Sequence, residues 1–397
     1  MERLGTLRRN MMRVTGAVAM SAVLALGAVA CGGDDKDSSG GGDKVTLGFM
    51  GDLTGENSGI VIPPWNGAQL AVEQYNATNP KVKIELKRYD SQGKPEQATG
   101  LAQQAIKNDK IQGLIGPAFS GESQSVAPIL DEAKIPSVSP SATNVTLGEK
   151  KWTYWHRVVA DDEVQGAGAS DFIARAFKAK KVFVVHDNQD YSKGLADYVT
   201  KGVQAKGATV ATDVVDQKGT DYSSTVNKAK QAAPDVLFFG GYYAQAGRLF
   251  KQLREGGVTV PLVTGDGSLD GGLIKGTGAN NANKVYVSCP CLIDPEGKKN
   301  PKAKTFNDAY KAKFNADVAI YSGEGFDAAT AFIEAIKAGN TTPEKINQFL
   351  STINIEGVAK PIKFESNGEL AAKDIYVYES KGGKLPLLGN TKDATVK

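Results

Sequence analysis

Beyond position 44 the chain alternates short β-rich runs with longer stretches in which apolar residues recur at helical spacing. The first runs read VTLGFM (45–50), VKIELKRYD (82–90), IQGLIG (111–116) and IPSVSP (135–140). A second series reads KVFVVHD (181–187), DVLFFGG (235–241), PLVTGDG (261–267) and KVYVSC (284–289). Between them, 65–76, 96–108, 194–205 and 246–255 have the period of helices. Strands alternating with helices build parallel sheets covered on both faces. Two such series in one chain predict an α/β fold of two doubly wound lobes.

The amino terminus is of another kind. Four arginines (Arg3, Arg8, Arg9, Arg13) precede a weakly apolar run from Val14 to Ala30, diluted by Gly16, Ser21 and Gly27. That run falls short of the roughly 20 strongly apolar residues a spanning helix needs. Residues 1–30 therefore read as an export signal. Ala28-Val29-Ala30-Cys31 resembles a bacterial lipobox, although Ala28 stands where leucine is more usual. Cys31 would then carry a diacylglycerol and anchor the protein to the outer face of a membrane. Arg8-Arg9 also resembles part of a twin-arginine signal, so the export route stays open. Residues 31–43, GGDDKDSSGGGD after the cysteine, hold no core-forming side chain and read as a disordered tether of roughly 20 Å.

Removing the signal changes the charge balance. Taking its four arginines and one glutamate from 47 basic and 44 acidic residues leaves 43 of each. A neutral chain gives no support for nucleic-acid binding, which calls for clustered Lys and Arg on a basic domain. The lysines between 298 and 313 are interleaved with Asp294, Glu296 and Asp308, as on a solvated surface helix. Cys289 and Cys291 are spaced by one proline; in an exported chain they are free to bridge, and the sequence leaves this open. With two histidines and these cysteines, four metal ligands cannot be assembled, and no cofactor is expected.

Catalytic patterns are missing too. Ala118 replaces the first glycine of a nucleophile elbow around Ser120, and no phosphate-binding glycine loop follows a strand. Asp161-Asp162-Glu163 reads as the acidic start of a helix, favoured there by the dipole. Trp65 reads as packing on a helix face. No enzyme activity is expected.

Ligands of doubly wound sheets sit beyond the carboxyl ends of the strands. After IQGLIG and IPSVS the loops PAFSGES (117–123) and PSATN (140–144) carry small hydroxyl residues, suited to an anion at a helix start. After the second-series strands come Tyr191, Tyr242 and Asp266, suited to an apolar group and a cation. Each has a plainer use available: helix caps for the hydroxyls, core packing for the tyrosines, and a Gly-Asp-Gly turn for the acid.

The order and spacing of GDLTGENSG (51–59), YDSQGKPEQA (89–98), IGPAFSGESQSVAP (115–128), PSVSPSAT (136–143), VVHDNQDYSKGLA (184–196), FFGGYYAQAGRLFKQLREGGV (238–258) and GFDAATAFIEAI (325–336) resemble a known family. It is the type I periplasmic binding proteins of ABC importers, within them the receptors for leucine, isoleucine and valine. The likeness implies a clamshell with three crossovers: lobe I from 44–160 and 289–368, lobe II from 161–288 and 369–397. It implies that Ser120 and Thr143 meet a ligand's α-carboxylate, and that Ser141 and Ala142 offer main-chain groups. Tyr191 and Tyr242 would cover the ligand, and Asp266, a glutamate in several family members, would answer the α-ammonium. Tyr321 and Ile60 stand where other aromatic residues are frequent, so the side-chain pocket is altered. The partners implied are an amino acid and the membrane subunits of an ABC permease, with the receptor itself a monomer. The rivals of the same fold are a receptor for an amide, urea or another small polar solute, and a ligand sensor without transport.

Overall fold

The computed structural model describes residues 44–298 and 300–396. The expected signal peptide, Cys31 and the tether lie outside them. Strand β1 (Lys44–Gly51) and helix α1 (Ile62–Ala77) open the chain, followed by β2 (Lys83–Asp90), α2 (Pro95–Lys107), β3 (Gly113–Ile115), α3 (Ser120–Glu132), β4 (Ser137–Ser139), α4 (Thr146–Glu149) and β5 (Trp155–Arg157). The five strands form one parallel sheet in the order β2-β1-β3-β4-β5. Helices cover both faces, so β1 is buried along almost its whole length without polar alternation. Trp65 packs edge-on against Phe49 of β1, with ring centroids 5.4 Å apart.

The chain then crosses to a second sheet. It runs through α5 (Asp162–Phe177), β6 (Lys181–His186), α6 (Asp190–Ala205), β7 (Thr209–Val214), α7 (Ser223–Ala232), β8 (Val236–Gly240), α8 (Tyr243–Glu255), β9 (Leu262–Thr264), α9 (Gly271–Thr277) and β10 (Val285–Cys289). Cys289 and Cys291 are joined by a disulfide just as the chain leaves this sheet. A second crossing leads to α10 (Pro301–Phe314), α11 (Ser322–Lys337) and α12 (Pro343–Leu350), then the hairpin β11 (Asn354–Glu356) and β12 (Pro361–Lys363). Helix α11 returns to the first lobe and lies on α1 at backbone contact. A Cβ at Gly67 would stand 2.0 Å from the Ser322 carbonyl, and one at Gly325 2.1 Å from that of Pro64. Only glycine permits that approach.

A third crossing brings β13 (Tyr376–Glu379) and β14 (Leu387–Asn390) onto the second sheet, whose order is β14-β13-β10-β9-β8-β6-β7. The five earlier strands are parallel, as the sequence predicts, while the last two run antiparallel. The fold is thus two α/β lobes traversed three times. Among the described residues no helix is long and apolar enough to cross a membrane.

Candidate functional site

The loops at the carboxyl ends of the strands converge between the lobes. Ser120, at the start of α3, and Ser141, after β4, come from the first lobe; Tyr191, Tyr242 and Asp266 come from the loops after β6, β8 and β9. All five line one crevice, together with Ile60, Ala118, Phe119 and Gly267. Ala142, Thr143 and Tyr321 do not line it, although Tyr321 reaches the lining residue Asp266 with its hydroxyl. Neither histidine lines it; His156 is buried beside the Phe364 ring, and burial pushes its pKa down to about 4.

The first-lobe side is a donor surface. The Ser120 hydroxyl accepts the Asn144 N–H at 3.2 Å, which leaves its own proton available to an anion. Ser141 is committed differently: its hydroxyl donates to the Ala118 carbonyl at 2.8 Å. Its side chain therefore fixes the loop rather than donating to a ligand. Ala142 is engaged at both backbone groups, its N–H with Ser139 Oγ (3.0 Å) and its carbonyl with Arg157 (3.1 Å).

Opposite stands a buried second-lobe acid held by one phenol from each lobe. Asp266 Oδ1 accepts the Tyr191 hydroxyl at 2.9 Å, and Oδ2 accepts the Tyr321 hydroxyl at 2.7 Å. Tyr191 is locked by also accepting the Gly267 N–H at 2.9 Å. Tyr321 caps α11 with φ of 59°, a left-handed backbone that costs a bulky residue about 1–3 kcal/mol. That conformation aims its ring at Asp266. Burial holds the Asp266 carboxyl above the usual range, while the phenol hydrogen bonds pull it back toward ionisation.

A second acid that the sequence reading treated only as a helix start belongs to this cluster. Asp162 is fully buried, and neither of its oxygens completes a hydrogen bond of ordinary geometry; nor does the Thr143 hydroxyl. The two side chains lie close enough for the hydroxyl to temper the acid. Burial, and then the charge of Asp266, push Asp162 well above the normal carboxylate range. Gln165 Oε1 is likewise a buried acceptor without a donor. Two acids, an amide oxygen and a hydroxyl thus gather in one place; the charge of Arg157 reaches Asp162, but that guanidinium is itself committed to Glu369, and the arrangement favours a bound ammonium.

Arg157 and Glu369 were also missed. The guanidinium is completely buried and binds Glu369 through two parallel hydrogen bonds, Nε to Oε2 at 2.7 Å and Nη2 to Oε1 at 2.6 Å. Its Nη1 donates to the carbonyls of Ala142 and Asn144 at 3.1 and 2.9 Å. One side chain therefore ties the first crossing to the third and turns the carbonyls of loop 142–144 away from the crevice.

Above the crevice the lobes touch directly. The Tyr243 hydroxyl donates to the Glu56 carbonyl at 2.9 Å and accepts the Gly59 N–H at 3.2 Å, while Arg248 pairs with the Glu56 carboxylate. Asn144 Nδ2 donates to the Asp190 carbonyl at 2.6 Å. The cleft is closed in this structure.

The family described as periplasmic binding protein matches residues 44–384. An amino acid binding protein of Pseudomonas aeruginosa is 29% identical over 84% of this chain and 90% of its own length. A leucine-, isoleucine-, valine-, threonine- and alanine-binding protein of the same organism is 27% identical over 85% and 90%. Among solved structures, the leucine-binding protein LivK of Thermotoga maritima superposes with a TM-score of 0.81 at 28% identity, covering 87% of this chain and 98% of that one. The branched-chain amino acid transporter substrate-binding protein LivJ of Streptococcus pneumoniae, solved with isoleucine, does so with 0.81 at 27%, covering 87% and 100%.

Proposed function

We propose that this chain, which belongs to the periplasmic binding protein family, captures a small amino acid of the branched-chain class between its lobes and hands it to an ABC permease. One observation carries the reading: Asp266, braced by Tyr191 and Tyr321 and joined by Asp162, faces the Ser120 hydroxyl across one crevice. Those groups match the two ends of a zwitterion. The Ser120 hydroxyl takes the α-carboxylate. Asp266 takes the α-ammonium, and Asp162, buried near it, adds negative charge to that side of the crevice. Tyr242 closes over the side chain. The lobes are 44–160 with 289–368 and 161–288 with 369–397, and they open by bending at the three crossings. Closure is favoured only as far as the ligand contacts both lobes. The body is held to the membrane by lipid on Cys31 and acts as a monomer without catalysis.

Binding and pH are linked through the two acids. A bound ammonium favours their ionised forms, so affinity falls as pH drops through their raised pKa values. For the ligand-free fold the sign is opposite. Acids whose folded pKa is raised contribute stability below the unfolded pKa and lose it as pH rises through the folded value. The rise in melting temperature caused by saturating L-valine should therefore widen from about pH 5 to about pH 8. Scanning fluorimetry with and without valine at several pH values checks this; a shift that narrows with rising pH contradicts it.

Function itself is tested by uptake of labelled valine, isoleucine and leucine in cells with and without the gene. Import that depends on the gene supports the reading. Tight binding without any change in import would favour a sensor, and a thermal shift with urea or amides alone would favour another solute.

A further inference from the structure

The crevice and the wider cleft outside it share three aromatic residues, Phe119, Tyr191 and Tyr242. Phe119 of the first lobe and Tyr242 of the second tilt against each other with ring centroids 4.6 Å apart. Tyr191 stands 5.1 Å from Tyr242 on the far side. Together they form a partition. Outside it the cleft is acidic, with Asp52, Glu56, Glu96, Glu122 and Asp190 against Lys94 and Lys218. Inside it, the free space beside Ser120 and Asp266 has room for about one water molecule.

The backbone carrying Phe119 is fixed, and the Tyr242 ring rests on a fixed neighbour. The Phe119 N–H donates to Glu122 Oε2 at 3.2 Å, and the other oxygen of that buried carboxyl takes the Ser91 hydroxyl. A Cβ at Gly93 would lie 3.4 Å from Phe119 Cε2, so a side chain there would fill the space beside the ring. Tyr242 leans on Tyr191, whose own hydroxyl is fixed by Asp266 and Gly267. The buried acid Glu122, which plays no part in holding a zwitterion, thereby gains a use as the residue that fixes the backbone at Phe119.

We propose that the Phe119–Tyr242 pair limits the ligand to short side chains, making valine, threonine and alanine the preferred class over leucine and larger residues. The proposal rests on the amino-acid reading above and narrows it. With both ends of the zwitterion fixed, the direction of the side chain is fixed too, and it points between Phe119, Tyr242 and Ile60. The closed crevice has to widen for any amino acid, and a side chain branched at Cγ has to part the rings furthest, placing methyl groups in an acidic, wet cleft instead of a dry one. Overfilling a packed site is costly, and a single methylene in such a pocket discriminates by roughly 10- to 200-fold.

Isothermal titration of the mature protein with L-alanine, L-threonine, L-valine, L-leucine and L-phenylalanine tests it, alongside Phe119→Ala. Valine should bind wild type at least about tenfold more tightly than leucine, and Phe119→Ala should erase that gap by raising leucine affinity roughly tenfold. Phe119→Leu, a gentler change that keeps the core filled, should narrow the gap and serves if the alanine variant fails to fold. Leucine binding as tightly as valine in wild type, with the ratio unmoved in either variant, overturns the size limit while leaving the amino-acid reading intact. Wild type that binds no amino acid at all sinks that reading, and the size limit with it.

Discussion

Asp266→Ala should weaken amino-acid binding by roughly 2–5 kcal/mol, at least about thirtyfold, without unfolding the protein. The acid is 3% exposed and meets two phenol hydroxyls, so little water screens it from a bound ammonium. Losing it strands a desolvated cation, which accounts for most of the cost. Asp266→Asn keeps the shape and one acceptor for a phenol yet removes the charge, and should lose nearly as much. Stability is affected by two opposed effects: losing a carboxyl held above its usual range by burial costs the ligand-free fold little, while the buried Tyr191 and Tyr321 hydroxyls lose their acceptor. Calorimetric titration and thermal melting of the same preparations separate the two effects. Affinity within threefold of wild type would remove Asp266 from the site.

The largest effect on folding should come from Glu369→Ala, a loss of about 3–5 kcal/mol. The change leaves the Arg157 guanidinium completely buried beside two carbonyls, its nearest remaining acid being Asp161 at 3.9 Å. Removing the whole pair, as in Arg157→Met with Glu369→Leu, should recover much of that loss, since apolar replacements of buried ion pairs are often tolerated. It should not recover ligand binding, because the carbonyls of Ala142 and Asn144 are then free to turn toward the crevice. Urea unfolding measures the first effect and titration with valine the second.

What was legible in the sequence follows from how local each feature is. Runs such as KVFVVHD and DVLFFGG are long, β-branched and buried on both faces, and they fold as the strands they suggest. Strands of three or four residues, such as Trp155–Arg157 or the antiparallel Tyr376–Glu379, offer no period to read and depend on a sheet built elsewhere. The site divides in the same way. Ser120, Ser141, Tyr191, Tyr242 and Asp266 sit at strand ends that the alternation itself locates, and they gather at one crevice. Asp162 was hidden by a good local explanation, an acidic first turn, and its proximity to Asp266, 104 residues further along the chain, arises only when the second lobe folds. Arg157 and Glu369, 212 residues apart, carry no local signal at all. Ala142 and Thr143 come from the same loop but do not line the crevice, and the Ala142 backbone is spent on Ser139 and Arg157.

The central claim is that the cleft answers both charges of a small zwitterion at once. Titration calorimetry comparing L-valine with valinamide and N-acetyl-L-valine tests it in one experiment, since each derivative silences one end. Only the free amino acid should bind tightly, with both derivatives weaker by about a hundredfold or more. N-acetyl-L-valine binding as well as L-valine would contradict the account.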